Sequence, residues 1–235
     1  MNSSSACIIL AGGLGTRLRT AIPNKPKCLA PINDSSFLEI QLEALVRQGI
    51  NNIIISLGYL GGLVEVELNS MNLPKPIKIR TIHEKKPLGT GGAILNAMDQ
   101  FNLEECMVTN GDTYLSGSLQ KMTSPLSLDA REISRMAVIE VANRSRYGGV
   151  ELVDKNVTGF LEKGLTGKGF INAGFYRVNK KIFDKNKPGD KFSFESSILP
   201  ALAKNNQLFY FEMDGDFMDI GIPEDYLKFC KKMQK

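Results

Sequence analysis

One histidine, His83, serves a chain of 235 residues. A reaction that needs an imidazole base has little material to work with. The four cysteines, Cys7, Cys28, Cys106 and Cys230, stand far apart with no C-x-x-C pair. That spacing argues for reduced thiols in a cytoplasmic protein. No apolar stretch approaches the ~20 residues that span a bilayer. The run Cys7 to Ala11 is too short for a signal peptide and has no basic leader. There is no internal repeat, no low-complexity tract and no linker long enough to divide the chain. No hexapeptide repeat occurs, so a left-handed β-helix and a fused acyltransferase are not expected. The net charge of +4 is too small to argue for nucleic acid. With 43% hydrophobic and 23% charged residues, the composition is that of a soluble globular protein with one substantial core.

One further absence is local: no acid precedes Asp34. Into that acid-free stretch fall Gly12, Gly13 and Gly15, directly after the apolar run Ala6 to Leu10. Arg17, Arg19, Lys25 and Lys27 follow within eleven residues. Glycines there can adopt positive φ and let a ligand meet bare backbone. Successive unpaired N–H groups in such a loop form a concave anion site. A glycine loop backed by four cations suits a polyphosphate better than it suits a tight surface turn. Two familiar phosphate loops are excluded. The dinucleotide fingerprint fails at its third glycine, where Leu18 stands, and the Walker A pattern fails because Thr16-Arg17 follows Gly15.

Strand and helix then alternate four times within the first 110 residues. The spacing predicts a helix over 37–48, capped by Ser35 or Ser36 and ended by Gly49, with Leu38, Leu42, Leu45 and Val46 on one face. Residues 53–57 form a continuous apolar run, the mark of a buried parallel strand. A helix over 60–68, a strand over 77–82, a helix over 88–98 and a strand over 106–109 follow. Alternation of this kind predicts a doubly wound sheet with ligands at the carboxyl ends of its strands. The second half reads as strands at 136–141, 149–153, 157–162, 169–178 and 208–212, some antiparallel. Helices are expected over 195–204 and 224–232.

The pieces Gly12-Gly13-Leu14-Gly15-Thr16-Arg17-Leu18 and Pro26-Lys27 together resemble the signature of the sugar-1-phosphate nucleotidylyltransferases. Cys28 departs from it, standing where that family usually has proline or glutamine. The resemblance runs on through Asn110-Gly111-Asp112-Thr113, Phe160-Leu161-Glu162-Lys163, Ile171-Asn172-Ala173-Gly174-Phe175-Tyr176 and Asp219-Ile220-Gly221-Ile222-Pro223-Glu224-Asp225-Tyr226. Pro87-Leu88-Gly89-Thr90-Gly91-Gly92-Ala93 and Asn110 to Tyr114 are similar to the short heptose 1-phosphate guanylyltransferases, which make GDP-heptose for bacterial surface polysaccharides. The resemblance implies an α/β, doubly wound, Rossmann-like mixed sheet of the nucleotidyltransferase (glycosyltransferase A-like) type. It also implies one domain over 1–235, with a nucleotide half to about 115 and a sugar-phosphate half from about 116.

The reaction so implied is attack by a sugar 1-phosphate oxygen on the α-phosphorus of a triphosphate, with pyrophosphate leaving. A phosphate monoester is mostly dianionic at pH 7, its second pKa lying near ~6, so no general base is required. Catalysis then falls to Arg17, Lys27, Asp112 and Asp219. Asp112 alone could equally be a turn residue; paired with Asp219 in the family order, it becomes a ligand for Mg2+. Asp214 and Asp216 read as solvated loop acids. Leu10, Ala11, Gly12, Gly13, Gly15, Thr16, Arg17, Lys27, Glu84, Gly89, Thr90, Asn110 and Asp112 are expected at the nucleotide. Gly148, Glu162, Lys163 and Asn172 are expected at the sugar phosphate, with Tyr147 as core or sugar platform. Lys25 and Arg19 read as rim residues and His83 as structural. Guanine offers N1–H and N2–H donors along one edge, which the Glu84 carboxylate can accept in parallel. Otherwise, Glu84 pairs with Lys85 or Lys86 on the surface.

The expected partners are GTP or another triphosphate and a sugar 1-phosphate, without nucleic acid or membrane; a homo-oligomer is left open. The competing readings are mannose 1-phosphate with GTP, another sugar phosphate with UTP or dTTP, and a non-catalytic subunit that binds a nucleotide sugar. An oxidoreductase of Rossmann type is disfavoured by the missing glycine.

Overall fold

The computed structural model describes residues 5–127 and 131–234. Strand β1 (Cys7–Ala11) runs into the glycine loop, and a short 3-10 turn at Lys27–Leu29 precedes the two-residue strands β2 (Pro31–Ile32) and β3 (Ser35–Ser36). Then α1 (Phe37–Arg47), β4 (Asn52–Leu57), α2 (Gly61–Ser70), β5 (Lys78–His83), α3 (Gly89–Gln100) and β6 (Glu105–Asn110) alternate. The remainder comprises β7 (Thr113–Leu115), α4 (Gln120–Thr123), β8 (Ser134–Val141), β9 (Gly149–Val153), β10 (Asn156–Leu161) and β11 (Gly169–Asn179), followed by α5 (Leu199–Lys204), β12 (Leu208–Glu212), β13 (Phe217–Asp219) and α6 (Pro223–Lys232).

The chain forms two compact units. The first takes Met1–Pro87, Thr109–Ser116 and Asp216–Lys235; the second takes Leu88–Val108 and Gly117–Gly215. In the first, β1 pairs parallel with β4, and β4 pairs parallel with β5. The isoleucines at 53, 54 and 55 are fully buried, as strands covered on both faces require. Parallel neighbours need crossovers, which α1 and α2 supply. Ser36 caps α1 by accepting the Glu39 N–H at 3.3 Å. Gly49 follows the helix at φ 78°, a conformation that glycine adopts without strain. Phe37 and Ile40 of α1 join Leu18, Ile22, Ala30, Ile32, Ile220 and Phe229 in one core. Through Phe229, whose ring lies 5.4 Å from that of Phe37 and 5.1 Å from that of Tyr114, the C-terminal helix is fastened to this unit.

In the second unit, β8 pairs antiparallel with β11 and parallel with β12, while β10 pairs antiparallel with β9 and β12. Parallel and antiparallel pairs are thus mixed, as the sequence led one to expect. Arg177 is 2% exposed. Its Nε donates to Glu105 Oε1 at 2.5 Å, and its Nη1 donates to the carbonyls of Met122 and Thr123.

The main elements fall within two or three residues of their expected bounds. The helix expected over 195–204 divides into a π-type turn, Phe194–Ile198, and the α-helix α5. Pro200 explains the division, because it cannot donate to the carbonyl four residues back. Strands β2, β3, β7 and β13 escaped the sequence reading, since two or three residues carry no periodicity. Among the described residues, no helix is long and apolar enough to cross a membrane.

A guanidinium this deeply buried depends on its carboxylate partner. Glu105→Ala is expected to lower stability by about 3–5 kcal/mol, since it strands a buried charge. Urea unfolding followed by circular dichroism measures this, and an unchanged midpoint would contradict it.

Candidate active site

The carboxyl ends of β1, β4 and β5 in the first unit open into Gly12, Gly58 and Glu84. Glu84 N–H donates to the Leu57 carbonyl at 2.8 Å, which fixes the start of the third loop against the end of β4. A Cβ on Gly58 would stand 2.6 Å from the Gly12 carbonyl oxygen, and one on Gly12 would collide with Glu84 Oε1. Only residues without a side chain let these loops approach so closely. Glu84 therefore reaches the glycine loop, instead of serving solely as a surface partner for Lys85 or Lys86. A Cβ on Gly111, beyond β6, would stand 2.6 Å from the Leu10 carbonyl oxygen.

Charges gather beside this contact. Lys27 extends past Gly15, which takes φ +62° and could carry a Cβ only 2.9 Å from Lys27 Cγ. Lys27 Nζ meets Asp112 Oδ2 at 2.5 Å, and both side chains are partly buried. Asp219 closes the group. Its Oδ1 accepts the Gly221 N–H at 2.7 Å, and a Cβ on Gly221 would lie 3.4 Å from Lys27 Nζ. Burial first, and then the Asp112 carboxylate, raise the Asp219 pKa; the Gly221 N–H, Lys27 and Arg17 pull it down. Four groups from three separate segments thus act on one another electrostatically. Lys27 with Asp112 alone would make an ordinary structural pair. A second carboxylate, pushed upward by burial and then by the first, is the kind of tension found at functional sites. Burial pushes the Cys28 thiol up to about 12, so this departure from the expected motif supplies no thiolate at neutral pH.

The other expected nucleotide residues of the first unit divide by exposure. Leu10 and Ala11 end β1, while Gly13, Thr16 and Arg17 are exposed. Nothing would lie within 4 Å of a Cβ on Gly13, so that turn faces open space. Asn110 ends β6. His83 Nε2 lies 3.0 Å from Glu65 Oε1. Arg19 stacks over the Tyr59 ring at 4.8 Å, and Lys25 is exposed. Asp216 is an exposed loop acid, as expected; it also pairs with Lys232 at 2.6 Å and accepts from the Ser116 hydroxyl. Its pKa is lowered, chiefly by the Lys232 hydrogen bond.

The remaining candidates belong to the second unit. Gly89, at φ +71°, could carry a Cβ only 2.5 Å from the Phe192 carbonyl oxygen, so this glycine has a packing reason of its own. The Thr90 hydroxyl donates to Glu195 and accepts the Phe194 N–H. Gly148, at φ +78°, lies against the strand end that bears Glu162 and Lys163, with the Leu161 carbonyl oxygen 2.7 Å from its would-be Cβ. Both Glu162 and Lys163 are exposed. Asn172 sits at the irregularity in β11; it donates to the Tyr176 hydroxyl at 2.8 Å and accepts the Gly174 N–H at 2.9 Å. Tyr147 lies under the Arg146 guanidinium, 5.3 Å from ring to carbon.

Residues 6–235 match the family model described as nucleotidyl transferase. The chain belongs to the nucleotidyl transferase family. It is 39% identical over 232 residues to a D-glycero-alpha-D-manno-heptose 1-phosphate guanylyltransferase of Aneurinibacillus thermoaerophilus, covering 97% of both chains. A protein of the same name from Campylobacter jejuni is 40% identical over 223 residues, 94% of this chain and 97% of its own. The crystal structure of HddC from Yersinia pseudotuberculosis complexed with GMP-PN superposes with a TM-score of 0.84. It is 38% identical and covers 97% of this chain and 99% of that one. The fold is accordingly the α/β nucleotidyltransferase fold anticipated above.

For a nucleotidyl transferase, the first unit offers cations and bare N–H groups for phosphates, with two carboxylates beside them. That oxygen donor set fits a hard divalent cation. Among the described residues, no group of three acidic, histidine or cysteine side chains is gathered for a metal. Gly58 and Gly221 escaped the sequence reading as site residues. The signal for Gly58 was its place directly after a buried apolar strand.

If Lys27 neutralises charge on the reacting phosphates, Lys27→Ala should lower kcat roughly a hundredfold or more while triphosphate affinity changes much less. Steady-state pyrophosphate release and titration calorimetry separate the two. An unaltered kcat would refute the role.

Proposed function

We propose that this enzyme transfers GMP from GTP to D-glycero-α-D-manno-heptose 1-phosphate, releasing pyrophosphate and GDP-heptose for surface polysaccharide. The observation that carries the reading is the cluster of Lys27, Arg17, Asp112 and Asp219 beside a glycine loop. The name shared by its relatives at 39% and 40% identity supports the substrates. Within a single domain, residues to about 115 serve the nucleotide and those from about 116 serve the sugar phosphate; Asp219 returns to the first unit through β13.

In this reaction, an oxygen of the sugar 1-phosphate forms a bond to the α-phosphorus. The bond from that phosphorus to the α–β bridging oxygen breaks, and its electrons leave with pyrophosphate. The nucleophile arrives ionised, its second pKa lying near ~6, so no side chain has to remove a proton. The backbone of Gly12, Gly13, Gly15 and Thr16 cradles the triphosphate, with Leu10 and Ala11 forming the floor. Lys27 and Arg17 compensate the charge that develops on the leaving group. Asp112 and Asp219 would hold Mg2+, which supplies further charge neutralisation when bound. Gly148, Glu162, Lys163 and Asn172 take the sugar phosphate, Lys163 meeting the phosphate and Glu162 the hydroxyls. The unpaired cysteines suit a cytoplasmic enzyme.

Base choice turns on Glu84, whose carboxylate lies at Gly12; Asn110, Gly89 and Thr90 complete the nucleotide residues. A carboxylate accepts the two donors of guanine but repels the carbonyl oxygens flanking N3–H in uracil and thymine. We expect kcat/KM to be highest for GTP among GTP, UTP, CTP, dTTP and ATP, assayed by pyrophosphate release with heptose and mannose 1-phosphates. Glu84→Gln should erode that preference. An enzyme that favours UTP or dTTP would overturn the reading of Glu84, and one that favours mannose 1-phosphate would overturn the acceptor.

A further inference from the structure

Helix α1 carries a polar residue on its buried face. Gln41 is 4% exposed and stands between Leu38 and Leu42, where packing alone would favour another apolar side chain. Its Nε2 donates to two carbonyls, those of Asn110 and Thr113, each at 2.8 Å. Those carbonyls bracket Gly111-Asp112. Within the bracket, the Gly111 N–H donates to Leu10 O and the Ile220 N–H donates to Asp112 O, both at 3.0 Å. The backbone of all four residues is therefore tied down, with Gln41 holding the first and the last. Gln41 Oε1, in contrast, is buried without a hydrogen-bond partner. A half-satisfied buried amide costs stability. An apolar residue would avoid that cost but would leave both carbonyls of the turn without this donor.

We propose that Gln41 is a positioning residue for Asp112. Its amide clamps the turn from Asn110 to Thr113 so that the Asp112 carboxylate is presented to Lys27. This inference rests on the nucleotidyl transfer reading for its kinetic consequence, though not for the clamp itself. Gln41 touches neither substrate nor reacting atoms and acts only through the turn. Partners of this kind, one step removed from a charged ligand, commonly matter ten- to a hundredfold.

The test is a double-mutant cycle of Gln41→Met with Asp112→Asn, with kcat and KM measured for GTP well below the unfolding temperature. Amide hydrogen exchange across residues 107–115 is followed in parallel. The clamp predicts that Gln41→Met lowers kcat about tenfold or more. KM for GTP should stay within about threefold, and exchange at the turn should accelerate. In the Asp112→Asn background, the same change should cost less than about twofold, because the group it positions is already disabled. Equal losses in both backgrounds, an undiminished kcat or unchanged exchange at the turn would overturn the proposal. Should Gln41→Met fail to fold, Gln41→Asn keeps the amide but shortens its reach and enters the same cycle. A wild-type enzyme inactive with every triphosphate and sugar phosphate would defeat the nucleotidyl transfer reading, leaving the exchange measurement to judge the clamp.

Discussion

Two carboxylates placed together repel one another, and the first unit is built to keep Asp112 and Asp219 in place regardless. Their backbones are tied by the hydrogen bond from the Ile220 N–H to the Asp112 carbonyl. The short pair of β7 with β13 sets Asp219 opposite Thr113. Farther along, Phe229 anchors α6 in the core against Phe37, which fastens the segment that follows Asp219. Lys27 supplies the counter-charge that makes the arrangement tolerable. The Asp219 pKa is raised, by burial first and then by the Asp112 carboxylate. Phosphate chemistry gains from such a site, because the groups that compensate charge are set in position before substrate arrives.

Glycine is the second requirement, for reasons of space as much as flexibility. Gly58 lets the loop after β4 meet the carbonyl of Gly12, and Gly111 lets the turn after β6 meet the carbonyl of Leu10. Gly15 passes the Lys27 stem, and Gly221 lies between Asp219 and the Lys27 ammonium. Each of these positions lacks room for a methyl group without displacement of its neighbour. The cluster of charges is therefore assembled by backbone approach, which four glycines make available. The same logic recurs in the second unit, where Gly91 and Gly92 lie beneath Phe192 and Asp190.

Much of this was legible in the sequence. The isoleucine run at 53–55 announced a strand buried on both faces, and Ser36 with Gly49 bounded α1. The acid-free glycine loop with its four cations announced an anion site, and Lys27 lies at that loop. Other features depend on contacts between distant segments and leave no local trace. Nothing about Gln41 in a helical pattern says that it will face a turn seventy residues further on. Asp216 was legible as an exposed loop acid, but its partner Lys232 was not, because α6 supplies it from a distant part of the chain. The split of the helix at Phe194–Ile198 was half visible in Pro200, whose missing N–H was there to be read. Gly89 carried a signal with two meanings, since the glycine of a close ligand approach looks the same as the glycine of a close chain contact.

The central claim is that this site works by compensating charge around a nucleophile that arrives already ionised. The pH dependence of kcat/KM for the sugar 1-phosphate addresses this, measured with the phosphate and again with a 1-phosphonate analogue whose second ionisation occurs at higher pH. The account predicts a rising limb near the second ionisation of the phosphate, at about pH 6, that moves upward with the phosphonate. A limb that stays at the same pH with both substrates would assign the critical proton to the enzyme and contradict the claim.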